Sequence, residues 1–175
     1  SCTLIKKEVK KMVDALISGI AFTKDEAEVM IKGVKDEPGV AAKILGPIGD
    51  ASIEIDMIVQ NVGSNGLADF TFTVSRNTLK KALQVIDKKK KIMMYESVSS
   101  KSNIVKVSLV GVGMRSHAGI ASKMFKCLAK NKVNIRMIST SEIKISVVID
   151  QKNLEIAVQA LHNEFKLEKN KKNLA

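Results

Sequence analysis

The sequence predicts an α+β fold made of two copies of one strand-helix-strand-strand-helix-strand unit. One observation is an internal repeat. Shifting by 80 positions places Gly119, Ile120, Ala121, Lys123, Met124, Phe125, Leu128, Val133, Ile135, Met137 and Ile138 on Gly39, Val40, Ala41, Lys43, Ile44, Leu45, Ile48, Ile53, Ile55, Met57 and Ile58 without a gap. A second is that apolar stripes at helical spacing take turns with segments that alternate apolar and polar, the period of a strand with one face in a core. A third is that 175 residues exceed what one such unit needs, so two packed units account for the chain.

In order, residues 1–13 mix Lys with apolar residues and read as a linker from an upstream domain. Ala15 to Phe22 is a short strand and Thr23-Lys-Asp-Glu26 its turn. The first unit, 27–98, opens with Ala27, Val29 and Ile31 alternating with polar neighbours. Asp36-Glu-Pro-Gly39 stops that strand, with Asp36 as N-cap and Pro38 in the first turn of a helix. Val40, Ile44, Leu45 and Ile48 stripe the helix, and Pro47 inside it predicts a bend. Ile53, Ile55, Met57 and Val59 share one face of the next strand, Phe70 and Phe72 one face of its hairpin partner. Leu79, Ala82, Leu83 and Ile86 mark a helix, and Ile92 to Val98 a closing strand.

The second unit, 99–168, repeats the order: a strand over 104–110, a Gly-rich turn, a helix over 119–130, a strand over 133–139 and a hairpin seven residues tighter. Leu154, Ala157, Val158 and Leu161 stripe its last helix, after which no convincing fourth strand follows. Residues 14–26 carry a spare strand, and an unpaired edge wastes hydrogen bonds. They are therefore expected to complete the second sheet, which makes the first unit an insertion within the second. Right-handed crossovers fold each βαββαβ order into the ferredoxin-like arrangement, with both helices on one sheet face.

Composition excludes several classes. No apolar run approaches the ~20 residues of a membrane span. Cys2 and Cys127 form no motif, so a reduced, cytoplasmic setting and no disulfide are expected; Cys127 reads as a small hydrophobe. Ser1 without a leader points to a processed or excised piece. The net charge of +11 raises the alternative of a basic nucleic-acid-binding module, yet much of it sits in Lys88–Lys91 and a tail over 169–175, where solvated cations are the simpler reading. Aromatic residues at 3% leave little to stack on bases, and Phe70 and Phe72 match Ile143 and Ile145, which makes them core residues. Gly111-Val-Gly113 lacks the third glycine of a dinucleotide fingerprint. There is no phosphate loop, no nucleophile beside a base and no metal-ligand spacing, so no catalysis, metal or cofactor is expected of this chain.

Four segments then stand out: Asp-Glu-Pro-Gly-Val-Ala-Ala (36–42), Ile-Asp-Met-Ile-Val-Gln-Asn (55–61), Val-Ser-Leu-Val-Gly-Val-Gly-Met-Arg-Ser-His (107–117) and Met-Ile-Ser-Thr-Ser-Glu-Ile-Lys-Ile-Ser-Val (137–147). With Ala-Leu-His-Asn-Glu-Phe (160–165) they resemble, in order and over residues 15–167, the tandem ACT domains at the C-terminus of aspartokinase. The resemblance implies a regulatory module that senses lysine, threonine or both and restrains ATP-dependent phosphorylation of the aspartate β-carboxylate. A kinase domain or subunit is the implied partner, and a homodimer through ACT sheets the implied assembly. By resemblance, Asp36, Pro38, Gly39, Val40 and Ala41 with Glu54, Ile55, Asp56 and Gln60 form one half of an effector site. Asn134, Ile135, Ser139, Thr140 and Glu142 are the matching strand and hairpin of the second unit, and Met114, Ser116 and His117 its helix-entry loop.

The chemistry agrees. Free amides at the head of a helix suit a carboxylate, and Asp56, with Gln60 on its face, suits an ammonium. His117 reads as a loop residue and His162 as a cap of the last turn. The chain departs from the family at Ser52, Pro47 and Ala118, and at Glu54, which places a second acid beside Asp56 and favours lysine over threonine.

Overall fold

The computed structural model describes residues 16–112 and 118–167. Residues 1–13, the tail over 169–175, and Met114, Ser116 and His117 lie outside them. The short strands expected from alternation give way to two much longer ones: β1 (Leu16–Lys35) and β4 (Ser97–Val112). Between and after them come α1 (Val40–Asp50), β2 (Ile55–Val62), β3 (Leu67–Val74), α2 (Arg76–Lys88), α3 (Lys90–Met93), α4 (Ala118–Lys130), β5 (Ile135–Thr140), β6 (Lys144–Asp150) and α5 (Leu154–Glu164). All strands join one six-stranded antiparallel sheet in the order β2-β3-β1-β4-β6-β5.

The two expected sheets are thus fused through their centre. The anticipated turn at Thr23 to Glu26 is strand, bulged where β1 crosses from one unit to the other. There Asp25 turns outward and caps a helix instead, accepting from the Ser75 hydroxyl at 2.6 Å and the Arg76 N–H at 3.0 Å. The expected closing strand from Ile92 is corrected too: residues 90–93 are helical, Met94 is left-handed, and the strand starts at Ser97 and continues unbroken into the second unit.

The β1–β4 register carries the repeat into three dimensions. Glu28 lies opposite Lys101, and Ala21 opposite Ser108; the shift of 80 turns each pair into the other. Met30 with Ser99 and Gly19 with Val110 behave the same way. The strands therefore cross about a local twofold axis near Lys24. The N-terminal half of β1 runs beside the β4 residues that pair with β6, and its C-terminal half runs beside β3. At the axis Arg76 and its repeat counterpart Gln151 meet, guanidinium to amide oxygen at 2.8 Å, while the same guanidinium donates to the carbonyls of Glu26 and Ile104.

One face of the sheet carries all the larger helices over two cores. Phe70, Phe72 and Val74 of β3 with Val29 and Ile31 of β1 bury Ile44 and Ile48 of α1 and Ala82 and Ile86 of α2. Val105, Val107, Leu109, Ile145 and Val147 bury Met124, Cys127 and Leu128 of α4 and Ala157 and Leu161 of α5. Helix α1 runs through Pro47 without interruption, because that residue falls in the last turn and only one carbonyl, that of Lys43, loses its donor. Its N-cap is Gly39 at φ +92°, not Asp36, and Pro38 stands outside the helix in the preceding turn. A side chain at position 39 would meet no neighbour, so the glycine is required by its backbone angle alone.

The Asp25 cap yields the first prediction. Asp25→Ala lowers stability by about 1 kcal/mol in chemical denaturation; a change within error would mean the α2 amides are served elsewhere.

Candidate functional site

The face without helices is where the sheet's charges gather. Each edge strand is bulged at the same repeat position, between Ile55 and Ile58 in β2 and between Ile135 and Met137 in β5. Ile55 and Ile135 pack with the helices, yet Met57 and Met137 turn to the opposite face and join Ile104 and Val148 in a third apolar cluster, with Val59 against it. The expected single face of Ile53, Ile55, Met57 and Val59 is therefore split, because one extra residue reverses the alternation.

That cluster joins the two edges of the sheet, which lie five strand intervals apart, ~24 Å if flat. Side chains standing perpendicular to a flat sheet cannot close such a gap, so the sheet is strongly curled. Two charge bridges cross the concave side. Arg136 of β5 reaches Glu28 of β1 with both Nε and an Nη, at 3.0 and 2.6 Å, and approaches Asp150 at 3.9 Å. Lys106 of β4 holds Glu26 of β1 at 3.0 Å and Asp56 of β2 in a close ion pair. Glu26 and Glu28 are each 4% exposed, so both need these counterions.

Burial pushes the Glu26 carboxyl up, opposed but not overcome by Lys106 and Thr73. Asp56 also feels burial, but the Lys106 ammonium outweighs it and holds that carboxyl below the ordinary aspartate range. The two acids keep Lys106 protonated beyond the usual lysine range against its own desolvation.

The residues expected to form one site fall into separate groups. At the upper end of the first unit, Asp36 N–H donates to Gly66 O and Val40 N–H to Glu37 O, so two expected donors are already used. No hydrogen bond among the described residues uses the Ala41 or Ala42 N–H. Gln60 sits opposite Phe70, on the helix-bearing face and near that end, whereas Asp56 lies at the other end of β2 on the concave face. The expectation that they share a face fails on the bulge. Glu54 is exposed just before β2, and Ile55 is half-buried against the core. In the second unit Asn134, Ser139, Thr140 and Glu142 are exposed along the far edge and hairpin, and Ile135 packs inward. The residues that sequence reasoning missed are Lys106, Glu26, Glu28 and Arg136. The signal for one was present, since Arg136 occupies the repeat position of Asp56.

Surface grooves lie elsewhere among the described residues. One of about 800 Å³ runs between α5 and β1, lined by Phe22, Leu154 and Val158 among others. Its repeat counterpart, about 600 Å³, is lined by Leu79, Leu83 and Ser102, and a third of about 350 Å³ lies along α4 beside Lys123 and Lys126. Phe70 and Phe72 are fully buried, which removes the platform a base-stacking sheet would need. Among the described residues no helix is long and apolar enough to cross a membrane, and no cluster of three or more His, Cys, Asp or Glu could hold a metal.

Two βαββα units sharing a sheet through β1 and β4, with helices on one face and free strand edges, define a tandem ACT pair, and ACT-domain family models match residues 28–90 and 107–165. The chain is 58% identical over 161 residues to aspartate kinase Ask_LysC of Stutzerimonas stutzeri, covering 92% of this chain and 39% of that protein. It is 56% identical to the aspartokinase of Pseudomonas aeruginosa, covering 94% and 40%. A chain from the structure of aspartokinase alpha and beta subunits superposes with a TM-score of 0.82 at 47% identity, covering 87% of this chain and all of that one. The ligand-free regulatory subunit of aspartate kinase from Thermus thermophilus gives 0.81 at 35%, covering 85% and 98%. The chain belongs to the aspartokinase family and corresponds to its regulatory part. It spans about two fifths of the length of the curated relatives it matches.

The charge network makes a pH prediction. In carbon-detected NMR titrations Glu26 should ionise above the ordinary glutamate range and Asp56 below the ordinary aspartate range. A depressed Asp56 stabilises the fold above the ordinary aspartate range, and that contribution disappears as pH falls through its lower native value. Glu26 acts with the opposite sign, its ionisation costing stability until it is protonated. Asp56 titrating at or above its ordinary value would contradict the pairing with Lys106.

A further prediction concerns the bridge across the concave side. Arg136→Met leaves Glu28 buried without its partner and costs about 3 kcal/mol in denaturant unfolding, while adding Glu28→Gln recovers most of the loss. Equal losses in single and double variants would show that the pair does not act as a unit.

Proposed function

We propose that this chain is an amino-acid-sensing module that mediates feedback inhibition, by lysine, threonine or both, of a kinase phosphorylating the aspartate β-carboxylate. The observation that carries the reading is its likeness to the Thermus thermophilus regulatory subunit over nearly that whole subunit. The kinase catalytic domain or subunit is its partner in this reading. A cytoplasmic setting follows from that partnership. The tandem units divide at 27–98 and 99–168, with the first inserted in the second.

The effector site is assigned to Asp36, Pro38, Gly39, Val40, Ala41, Glu54, Ile55, Asp56 and Gln60, with Met114, Ser116, His117, Asn134, Ile135, Ser139, Thr140 and Glu142 as the second unit's counterpart. Within one copy, α1 begins at the end of β2 opposite to Asp56. Strand β2 is an open edge carrying exposed Ile58 and Val62, a surface suited to pairing with a second copy. Antiparallel pairing of β2 with its own copy reverses the strand and brings the partner's Asp56 to the end of the edge at which α1 begins, on the concave face. In this reading the α1 amides suit the effector carboxylate and Asp56 suits its ammonium. The effector acts through its differential affinity for two arrangements of the units, typically a coupling of ~1 to 3 kcal/mol.

Calorimetry with L-lysine and L-threonine, singly and together, tests this: saturable heat with at least one is expected, and none with any rejects the sensor. Asp56→Ala should weaken binding at least tenfold while shifting unfolding by about 1 kcal/mol or less, since the carboxylate is partly exposed. A large loss of stability would make the residue structural.

A further inference from the structure

Resting on the assignment of Asp56 to the effector ammonium, we propose that Lys106 is a built-in competitor for that carboxylate, so that the amino acid binds by displacing the Lys106 ammonium and thereby unties β2 from β4. Asp56 is on an edge strand with its side chain 42% exposed, open to a solute. The ammonium of Lys106 already sits on it in the form a ligand's amine would take. Its side chain is 15% exposed and is shared with Glu26, whose side chain is 5% exposed. Losing Asp56 therefore leaves Lys106 charged and still paired with a buried carboxylate, which gives the ammonium two usable resting states. A cation with a single partner would be stranded, and the exchange would be prohibitive.

The second unit shows the contrast. At the repeat position of Asp56 stands Arg136, a cation that folds back onto Glu28 through two hydrogen bonds. The other carboxylate near it, Asp150 at 3.9 Å, is already held by Lys101 at 2.7 Å, so the two hydrogen bonds to buried Glu28 are the bridge's main hold. One of the two ties across the concave face is thus fixed and the other is releasable. Lys106 sits on β4, which pairs with both β1 and β6, so release at Asp56 changes how the first unit's edge is held to the strands at the centre of the second.

The test is calorimetry of the 175-residue chain and its Lys106→Met variant with L-threonine and L-lysine. Removing the competitor is expected to tighten binding of the amino acid that binds the wild-type chain about tenfold, because the carboxylate is then always available. Lys106→Arg, which keeps a competing cation, should bind no more tightly than wild type. Wild-type binding with equal or weaker affinity in Lys106→Met overturns the competition while leaving the sensor intact; absence of any wild-type binding overturns both. Because Lys106→Met leaves Glu26 buried without its cation and a misfolded variant would be uninformative, a wild-type measurement decides independently. The Lys106 side-chain ammonium signal in nitrogen-edited NMR should shift or broaden on saturation with the binding amino acid, and an unchanged signal refutes displacement.

Discussion

Antiparallel pairing of β1 with β4 about a local twofold governs everything else in this molecule. Each strand is long enough to serve both units, and a register that the 80-residue shift maps onto itself leaves no freedom in how the units meet. A sheet assembled this way has β2 and β5, which occupy the same place in the two copies of the repeat, at its extremities. Their bulges add local twist and turn Met57 and Met137 to the concave side, and the open sheet curls around them. Curl is thus a product of two matched irregularities, one in each copy of the repeat.

Closure explains why acidic residues can stand in the middle of a sheet. Glu26 and Glu28 would be costly in a flat, covered strand; here Glu26 meets Lys106 from the adjacent strand β4, and Glu28 meets Arg136 delivered from β5 across the concave side. Ser108 and Ser146 complete the polar surface with a hydrogen bond at 2.7 Å, and no buried side-chain polar atom among the described residues lacks a partner. A fully satisfied polar face fixes the units in one arrangement, and an arrangement with few alternatives is one that a ligand can bias between discrete states rather than merely soften. The bridge at Asp56 is the most accessible part of it, on the strand that also offers the open edge.

Helices, hairpins and the two helix-side cores were legible from periodicity, because burial on one side imposes a fixed spacing: Ile44, Ile48, Phe70 and Phe72 lie in the core as their stripes imply. The turn expected at Thr23 to Glu26 shows the limit. Its polar composition suits a loop, but tertiary pairing with Lys106 and Ile104 holds the same residues in strand and gives Asp25 a helix to cap. Asp36 likewise had the chemistry of an N-cap and lost the position to Gly39, whose backbone angle ends the turn. The candidate site was readable as a set of residue types and unreadable as a place, since a single bulge put Asp56 and Gln60 on opposite faces.

What the sequence determined by itself is the repeat, the helical stripes, the lack of catalytic spacing and the membership in a regulatory family, all of them properties set by residues near one another along the chain. Only the tertiary structure decided that two units share one sheet, that the sheet curls, and that Asp56 is already bound to Lys106. Those outcomes depend on register and on contacts between strands far apart in sequence, and a one-residue slip, invisible in composition, reverses which side of a strand a charge occupies.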